Sequence, residues 1–273
     1  MGLRVNTNIA SLNAQSNLGS VTNRLQANYA KLSSGLRIAN AADDAAGLGI
    51  SERMRSQIRS FGAAARNAQD GISLVQTAEG ALNESSNILN RMRELAIQAS
   101  NGTLSSADRD TINTEVSALI EELDRISDTA SFNGVNLLDG SSSTASIQVG
   151  VNDGDVIDIG LQDTTTATLG VDSVTTDTAT NASDALADID AAIETLNTAR
   201  GSLGAVQNRL TSAYTSIQNA RENLSAAESR IRDVDVAQET ADLTRNSIMQ
   251  QAAVSVLSQA NVQPQLALSL LRG

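Results

Sequence analysis

The residues of this chain that could carry chemistry are almost all carboxylates. Asp43 and Asp44 are adjacent, a pattern that could serve acid–base catalysis or a metal ion. Adjacent residues do not face each other on a helix, and Asp is a favoured residue just before one, so we predict a helix cap or turn. Asp153, Asp155 and Asp158 resemble part of a Ca²⁺ loop but lack its twelve-residue ligand spacing and terminal Glu. We predict that they lie on the solvated face of a hairpin.

The remaining composition argues against catalysis. The sequence has no His and no Cys, which removes the commonest general base, the commonest metal ligand and every thiolate site. We therefore predict that the protein is not an enzyme and uses no metal or cofactor. The net charge is −12, and no basic residue lies between Arg125 and Arg200, which disfavours nucleic acid as a partner.

The sequence also argues against membrane insertion. It contains no run of 18 apolar residues, so no segment is predicted to span a bilayer. Its first residues lack the continuous apolar region of an ordinary secretory signal. If the protein is exported, another route must carry it.

The elements that hold these residues are predicted to be long helices. Aromatic residues make up 1 % of the chain and Pro264 is the only proline, which favours thin helix–helix seams without interruptions. Between residues 186 and 234 large apolar residues recur every seven positions, and mostly Ala follows three places after each. This is a heptad pattern typical of a coiled coil. The large residues are Ile189, Leu196, Leu203, Leu210, Ile217, Leu224 and Ile231, and the small row runs from Ala192 to Val234.

Two further helices are predicted to share this seam. A second heptad row runs from Met54 to Ala96 and ends at Asn101-Gly102, and a third helix follows from Ser105 or Ser106. After a break at Asn133-Gly134, two β-branched runs flank Asn152-Asp153-Gly154, which predicts a hairpin. Residues 163–183 are predicted to be a polar connector. The predicted fold is mostly α, an elongated antiparallel bundle or coiled coil with a small β-hairpin region at about residues 132–162.

The two ends of the chain carry apolar stripes without enough companion sequence to bury them. We therefore expect the stripes to pack against other chains, which predicts self-assembly. The N-terminal stripe is Leu18, Val21, Leu25, Tyr29, Leu32 and Leu36. The C-terminal residues assigned to assembly are Ile248, Ala252, Val256, Leu266, Leu268, Leu270 and Leu271.

Several segments resemble bacterial flagellin, and together they cover nearly the whole chain. They are Arg4-Val-Asn-Thr-Asn-Ile-Ala-Ser-Leu-Asn13, residues 31–40 and 42–48, Gly71 to Gly80, Arg91 to Ala96, Phe132 to Val135, Ile147 to Gly150 and Ser269 to Arg272. The resemblance is to a short form that lacks the variable outer domain. It implies a filament subunit for swimming motility, located outside the cell in the flagellum.

The resemblance also implies a division into two domains. Residues 1–42 and 235–273 would form the terminal coiled-coil domain, D0, with its linker. Residues 43–180, which include the hairpin and connector, would form the rod domain, D1, together with the long helix at 181–234. Terminal segments that fold only on assembly would fit this division.

The partners follow from the same resemblance. They are many copies of the chain itself, hook-associated junction and cap proteins, an export chaperone, and the flagellar type III export apparatus. Arg91, Leu95 and Glu115 match the family's contact for a flagellin-sensing Toll-like receptor of the host, which overlaps the contact between protofilaments. On the residues alone, Arg91 and Glu115 would be solvated or inter-subunit charges and Leu95 would pack in the seam.

Other interpretations remain open at this point. A hook–filament junction protein would share the terminal coiled coils, although the match through residues 71–100 favours flagellin. A coiled-coil signalling protein would need a sharp helical tip where this chain has a hairpin and an acidic loop. The Ser/Thr run at 141–144 and the cluster at 164–168 are expected to be unmodified surface loops, with O-glycosylation as the alternative.

Overall fold

The computed structural model describes the backbone of residues 7–272 and the side chains of residues 7–262. Its helices and strands follow in chain order as α1 (Ile9–Ser34), α2 (Ala45–Ala99), α3 (Ser106–Thr129), β1 (Ser131–Phe132), β2 (Val135–Asn136), β3 (Thr144–Gln148), β4 (Val156–Gly160), α4 (Thr166–Leu169), α5 (Ala179–Arg232) and α6 (Val236–Arg272). The prediction of a mostly helical bundle with a small hairpin region is confirmed. The chain divides into two compact units, residues 1–56 with 223–273, and residues 57–222.

In the first unit, α1 and α6 run antiparallel. At one end the Asn8 side-chain amide donates to the carbonyl of Ala260 at 2.8 Å. At the other end Leu36 and Asp233 form an isolated antiparallel bridge, just beyond the last turn of α1. Gly35 ends α1 with φ 72°, the left-handed conformation that glycine adopts without a steric penalty.

The start of α2 confirms the prediction of a helix cap or turn at the paired aspartates. Asp44 Oδ1 accepts a hydrogen bond from the backbone N–H of Gly47 at 2.9 Å, as an N-cap side chain does. Asp43 Oδ2 accepts from the N–H groups of Ala39 and Asn40, which closes the turn before the helix. These backbone donors lower the pKa of Asp43, with Asn40 making the largest contribution. Both carboxylates therefore serve local structure.

In the second unit, α2, α3 and α5 share one apolar core. Its fully buried members come from all three helices and include Leu82, Leu89, Met92, Val116, Leu123, Ile189 and Leu196. The heptad pattern of α5 is confirmed as the face that packs. Burial is complete from Ile189 to Leu210 and becomes partial at Leu224 and Ile231.

Two antiparallel hairpins follow α3. Phe132 pairs with Val135 across a two-residue turn in which Asn133 has φ 50° and Gly134 has φ 79°. Positive φ at both turn positions is typical of a type I′ hairpin. In the second hairpin Ile147 pairs with Ile157, and the predicted Asn152-Asp153-Gly154 turn lies between the strands. The predicted hairpin is therefore confirmed.

The segment after the hairpin is not the polar surface connector that its composition predicted. It contains the short helix α4, and Thr164, Thr166 and Thr176 are buried along with Leu169, Val171 and Val174. The hydroxyl of Ser127 donates to the carbonyl of Thr164 at 2.9 Å, and the N–H of Thr176 donates to Asn113 at 2.7 Å. These buried polar groups obtain partners on α3, so a Thr-rich segment can lie against the core.

Candidate functional site

The contact between α1 and α6 is a heptad seam with a small apolar content. Ala14, Leu25 and Ala260 are buried in it, while Leu18, Val21 and Leu32 are half-buried. Leu36 is half-buried at the bridge with Asp233. The five leucine and valine positions of the N-terminal stripe therefore face inward or lie at the base of this pair. Tyr29, assigned to the same stripe, instead points outward and is 59 % exposed.

A polar layer occupies the place that an apolar pair would take in this seam. Asn28, Glu239 and Asn246 are each no more than 9 % exposed. The Asn28 amide donates to Glu239 Oε1, and the Asn246 amide donates to Asn28 Oδ1 at 2.8 Å. None of these three residues was predicted to lie in the seam, because the prediction used only apolar residues. The available signal was their spacing, since Glu239, Asn246, Ala253 and Ala260 recur every seven positions.

The outer side of α6 carries exposed apolar residues. Ile248 is 61 % exposed, Val256 is 59 % exposed, and Ala252 lies between them on the same helical face. We call these three residues the outer face of α6. Leu243 and Ala260 do not belong to this face, because Leu243 is half-buried and Ala260 is buried in the seam with α1. The side chains of Leu266, Leu268, Leu270 and Leu271 lie outside the described residues.

The second unit presents a charged surface on α2 and α3. Arg91 Nη2 lies 2.8 Å from Glu115 Oε1, and Arg91 Nη1 lies 3.2 Å from Glu94 Oε2. These carboxylates raise the pKa of Arg91, with the hydrogen bond to Glu115 contributing most. Leu95 lies beneath this surface at 2 % exposure, in the core of the unit. The exposed apolar residue nearby on α2 is Ile97, which sequence analysis did not single out.

Two of the three carboxylates of the second hairpin accept hydrogen bonds within it, and Asp153 is exposed at its turn. Asp155 Oδ2 accepts from the N–H and the side-chain amide of Asn152, and Asp158 accepts from Ser146. Among the described residues, no group of three or more carboxylate, His or Cys side chains could hold a metal ion. In the part of the chain that was searched, no helix is both long and apolar enough to cross a bilayer. The geometry offers surfaces for protein contacts.

Comparisons with known proteins agree along the length of the chain. The family model described as the bacterial flagellin N-terminal helical region matches residues 5–143, and the one described as the bacterial flagellin C-terminal helical region matches residues 186–271. A flagellin of Halalkalibacterium halodurans is 48 % identical over 270 residues, which are 98 % of this chain and 99 % of that protein.

Solved structures show the same likeness. The crystal structure of Bacillus cereus flagellin matches with a TM-score of 0.52 at 32 % identity, covering 60 % of this chain and 94 % of that chain. A structure described as a flagellar hook-associated protein of Vibrio parahaemolyticus has a TM-score of 0.60 at 14 % identity, covering 70 % of this chain and 100 % of that chain. At that identity the second likeness concerns the fold alone.

Proposed function

Because this chain belongs to the bacterial flagellin family, it is a structural subunit of the extracellular flagellar filament, and we propose that the outer face of α6 is one of its assembly contacts. The observation that carries this proposal is the 61 % and 59 % exposure of Ile248 and Val256 on one face of a helix whose other face already packs on α1. Copies of the chain are the partner that a filament subunit meets on every side. Burial of these side chains between copies would favour assembly.

The apolar residues between α1 and α6 contribute to assembly in a different way. Leu18, Val21, Leu25, Leu32 and Leu36 hold α1 against α6 or at its base, so they would shape the assembling surface without lying on it. Leu266, Leu268, Leu270 and Leu271 continue the apolar sequence toward the C-terminus. We assign these four residues to self-packing in the filament and to binding of an export chaperone.

We also propose the domain division that the family resemblance implies. The pair α1 and α6 would belong to D0, at residues 1–42 and 235–273, and the remaining helices and hairpins would belong to D1, at 43–180 and 181–234. The compact units differ slightly, because residues 43–56 and 223–234 group with α1 and α6. Limited proteolysis of the monomer would test the division. Cleavage confined to both ends would support it, and cleavage throughout 57–222 would contradict it.

The outer-face contact is tested by Ile248→Asp. We expect this variant to remain helical by circular dichroism and to lose most of its sedimentable filaments, because a carboxylate would have to be buried between copies. Gln251→Glu, which adds a charge at an exposed polar position of the same helix, is the matched control. The proposed contact is wrong if both variants assemble equally well.

The partners other than the chain itself are proposals from the family. They comprise the junction and cap proteins, the type III export apparatus and the chaperone. A chain truncated after Val262 should neither form filaments nor bind the chaperone in a pull-down from a flagellated bacterium. Chaperone binding that is unchanged by the truncation would place its site elsewhere.

For the host Toll-like receptor, Arg91 and Glu115 are the exposed members of the proposed contact, and Leu95 supports α2 from below. In a receptor reporter assay, monomer should activate and Arg91→Ala should activate less. An unchanged response would remove Arg91 from the contact. The hook–filament junction alternative predicts only short layers of protein, so long filaments from the purified chain would exclude it.

A further inference from the structure

We infer that this filament subunit is built to keep its pattern of positive charges and ion pairs in alkaline surroundings. Lys31 is the only lysine of the sequence, so arginine supplies the other 18 of the 19 basic residues. A lysine amine titrates near pH 10.4, whereas an arginine guanidinium keeps its proton above about pH 12. This inference depends on the proposed filament function only in the experiments that measure filaments.

Arginine is the cation of seven ion pairs among the described residues, each with a nitrogen–oxygen distance within 4.0 Å. The pairs are Arg55–Glu52, Arg91–Glu94, Arg91–Glu115, Arg93–Asp190, Arg125–Glu122, Arg232–Glu52 and Arg245–Asp242. Loss of the lysine proton would therefore break none of them.

One arginine has a position that an amine would fill poorly. The Arg232 side chain is 11 % exposed and binds Glu52 near the start of α2. Its backbone carbonyl accepts from the N–H of Arg37 at 2.6 Å, and the Arg37 side chain donates to the carbonyl of Ile231. Burial favours the neutral form of an amine, so a lysine here would lose its charge at a lower pH than on the surface. The guanidinium avoids that loss.

Lys31 is the one basic residue of the sequence that is not an arginine, and the sequence has no His or Cys. Lys31 lies in an open groove of about 330 Å³ that it shares with Arg24, Glu239, Asp242 and Arg245, and it forms none of the described ion pairs.

The test uses filaments of the full chain, grown at pH 7.5 and transferred to buffers up to pH 11. The parent should keep its sedimentable fraction to about pH 10.5. Arg232→Lys should dissociate at least about one pH unit lower than the parent. Arg93→Lys, at a more exposed pair, should shift the midpoint less.

Two results would overturn the inference. One is dissociation of the parent between pH 8 and pH 10, and the other is an Arg232→Lys midpoint equal to that of the parent. If Arg232→Lys fails to fold at pH 7.5, the pH series of the parent decides alone. Absence of filaments at pH 7.5 would refute the proposed function instead, and the alkaline unfolding of the monomer would still test the charge pattern.

Discussion

Replacement of Asn28 by Ala is the sharpest perturbation of the α1/α6 seam. Asn28 gives a hydrogen bond to Glu239 and accepts one from Asn246, and all three side chains are at least nine-tenths buried. The truncation leaves a buried carboxylate without its donor and a buried amide without its acceptor. Each orphaned group costs about 1–3 kcal/mol, so we expect a loss of about 2–4 kcal/mol after partial access of water. Against a typical domain stability of about 5–15 kcal/mol, this is a large fraction.

The assay is the critical concentration for filament growth, measured as the protein left in the supernatant. If the seam orders on assembly, as the flagellin resemblance implies for the terminal segments, a loss of about 2–4 kcal/mol raises this concentration by about 30- to 900-fold. Glu239→Gln is a matched control, because it keeps the Oε1 acceptor for the Asn28 amide and removes the charge. Its effect should be much smaller than that of Asn28→Ala.

A second variant distinguishes the cost of unpaired polar groups from the cost of lost packing. The triple change Asn28→Leu, Glu239→Leu and Asn246→Leu removes every member of the layer together, so no polar group is left unpaired. Such replacements are often neutral or stabilising. We therefore expect the triple variant to assemble nearer to the parent than Asn28→Ala does. A rise of less than about threefold for Asn28→Ala, or a triple variant as impaired as the single one, would refute this reasoning.

Three further predictions concern the rest of the molecule. Gly71→Val should lower the free energy of unfolding, measured by urea denaturation, by about 1–3 kcal/mol, because an added Cβ alone would lie 3.1 Å from Ile147. Gly80→Val is the control and should cost less, because the space around Gly80 is open. Ser105→Ala removes the capping box of α3 and should cost about 1 kcal/mol in the same assay; an unchanged midpoint would show that water replaces the cap. The hydrogen bond from Arg232 lowers the pKa of Glu52, so its stabilising contribution is present above the usual glutamate value and is lost as pH falls through the lower folded pKa. Acid unfolding should therefore begin below about pH 4, and Glu52→Gln should flatten this dependence.

Sequence periodicity predicted the long helices and the packing face of α5 because large apolar residues mark a seam directly. The α1/α6 seam was predicted less accurately, because its buried positions include Asn28, Glu239 and Asn246. A search for apolar residues passes over such positions and instead collects Ile248 and Val256, which lie on the outer face. Whether a polar side chain can be buried depends on a partner 211 or 218 residues away, and no local pattern encodes that pairing.

The prediction that residues 163–183 form a polar connector was wrong for a related reason. Thr164, Thr166 and Thr176 are residues typical of a surface loop. All three are buried, because Ser127, Asp124 and Asn113 on α3 supply their hydrogen-bond partners. This burial also limits which hydroxyl groups could carry an O-linked glycan. A glycosyl group needs an accessible hydroxyl, and in the cluster at 164–168 Thr168 is exposed while Thr164 and Thr166 are enclosed.

The heptads of α5 show what periodicity reports and what it leaves open. The row from Ile189 to Ile231 is uniform in sequence, yet Ile189 is completely buried while Leu224 and Ile231 are half-buried. The first part of the row shares its core with α3 and with the connector residues Leu169, Val171 and Val174. The last part has fewer apolar neighbours, as the small cluster around Ile217 shows. A heptad therefore fixes which face of a helix packs, whereas the number of neighbouring elements fixes how deeply that face is buried.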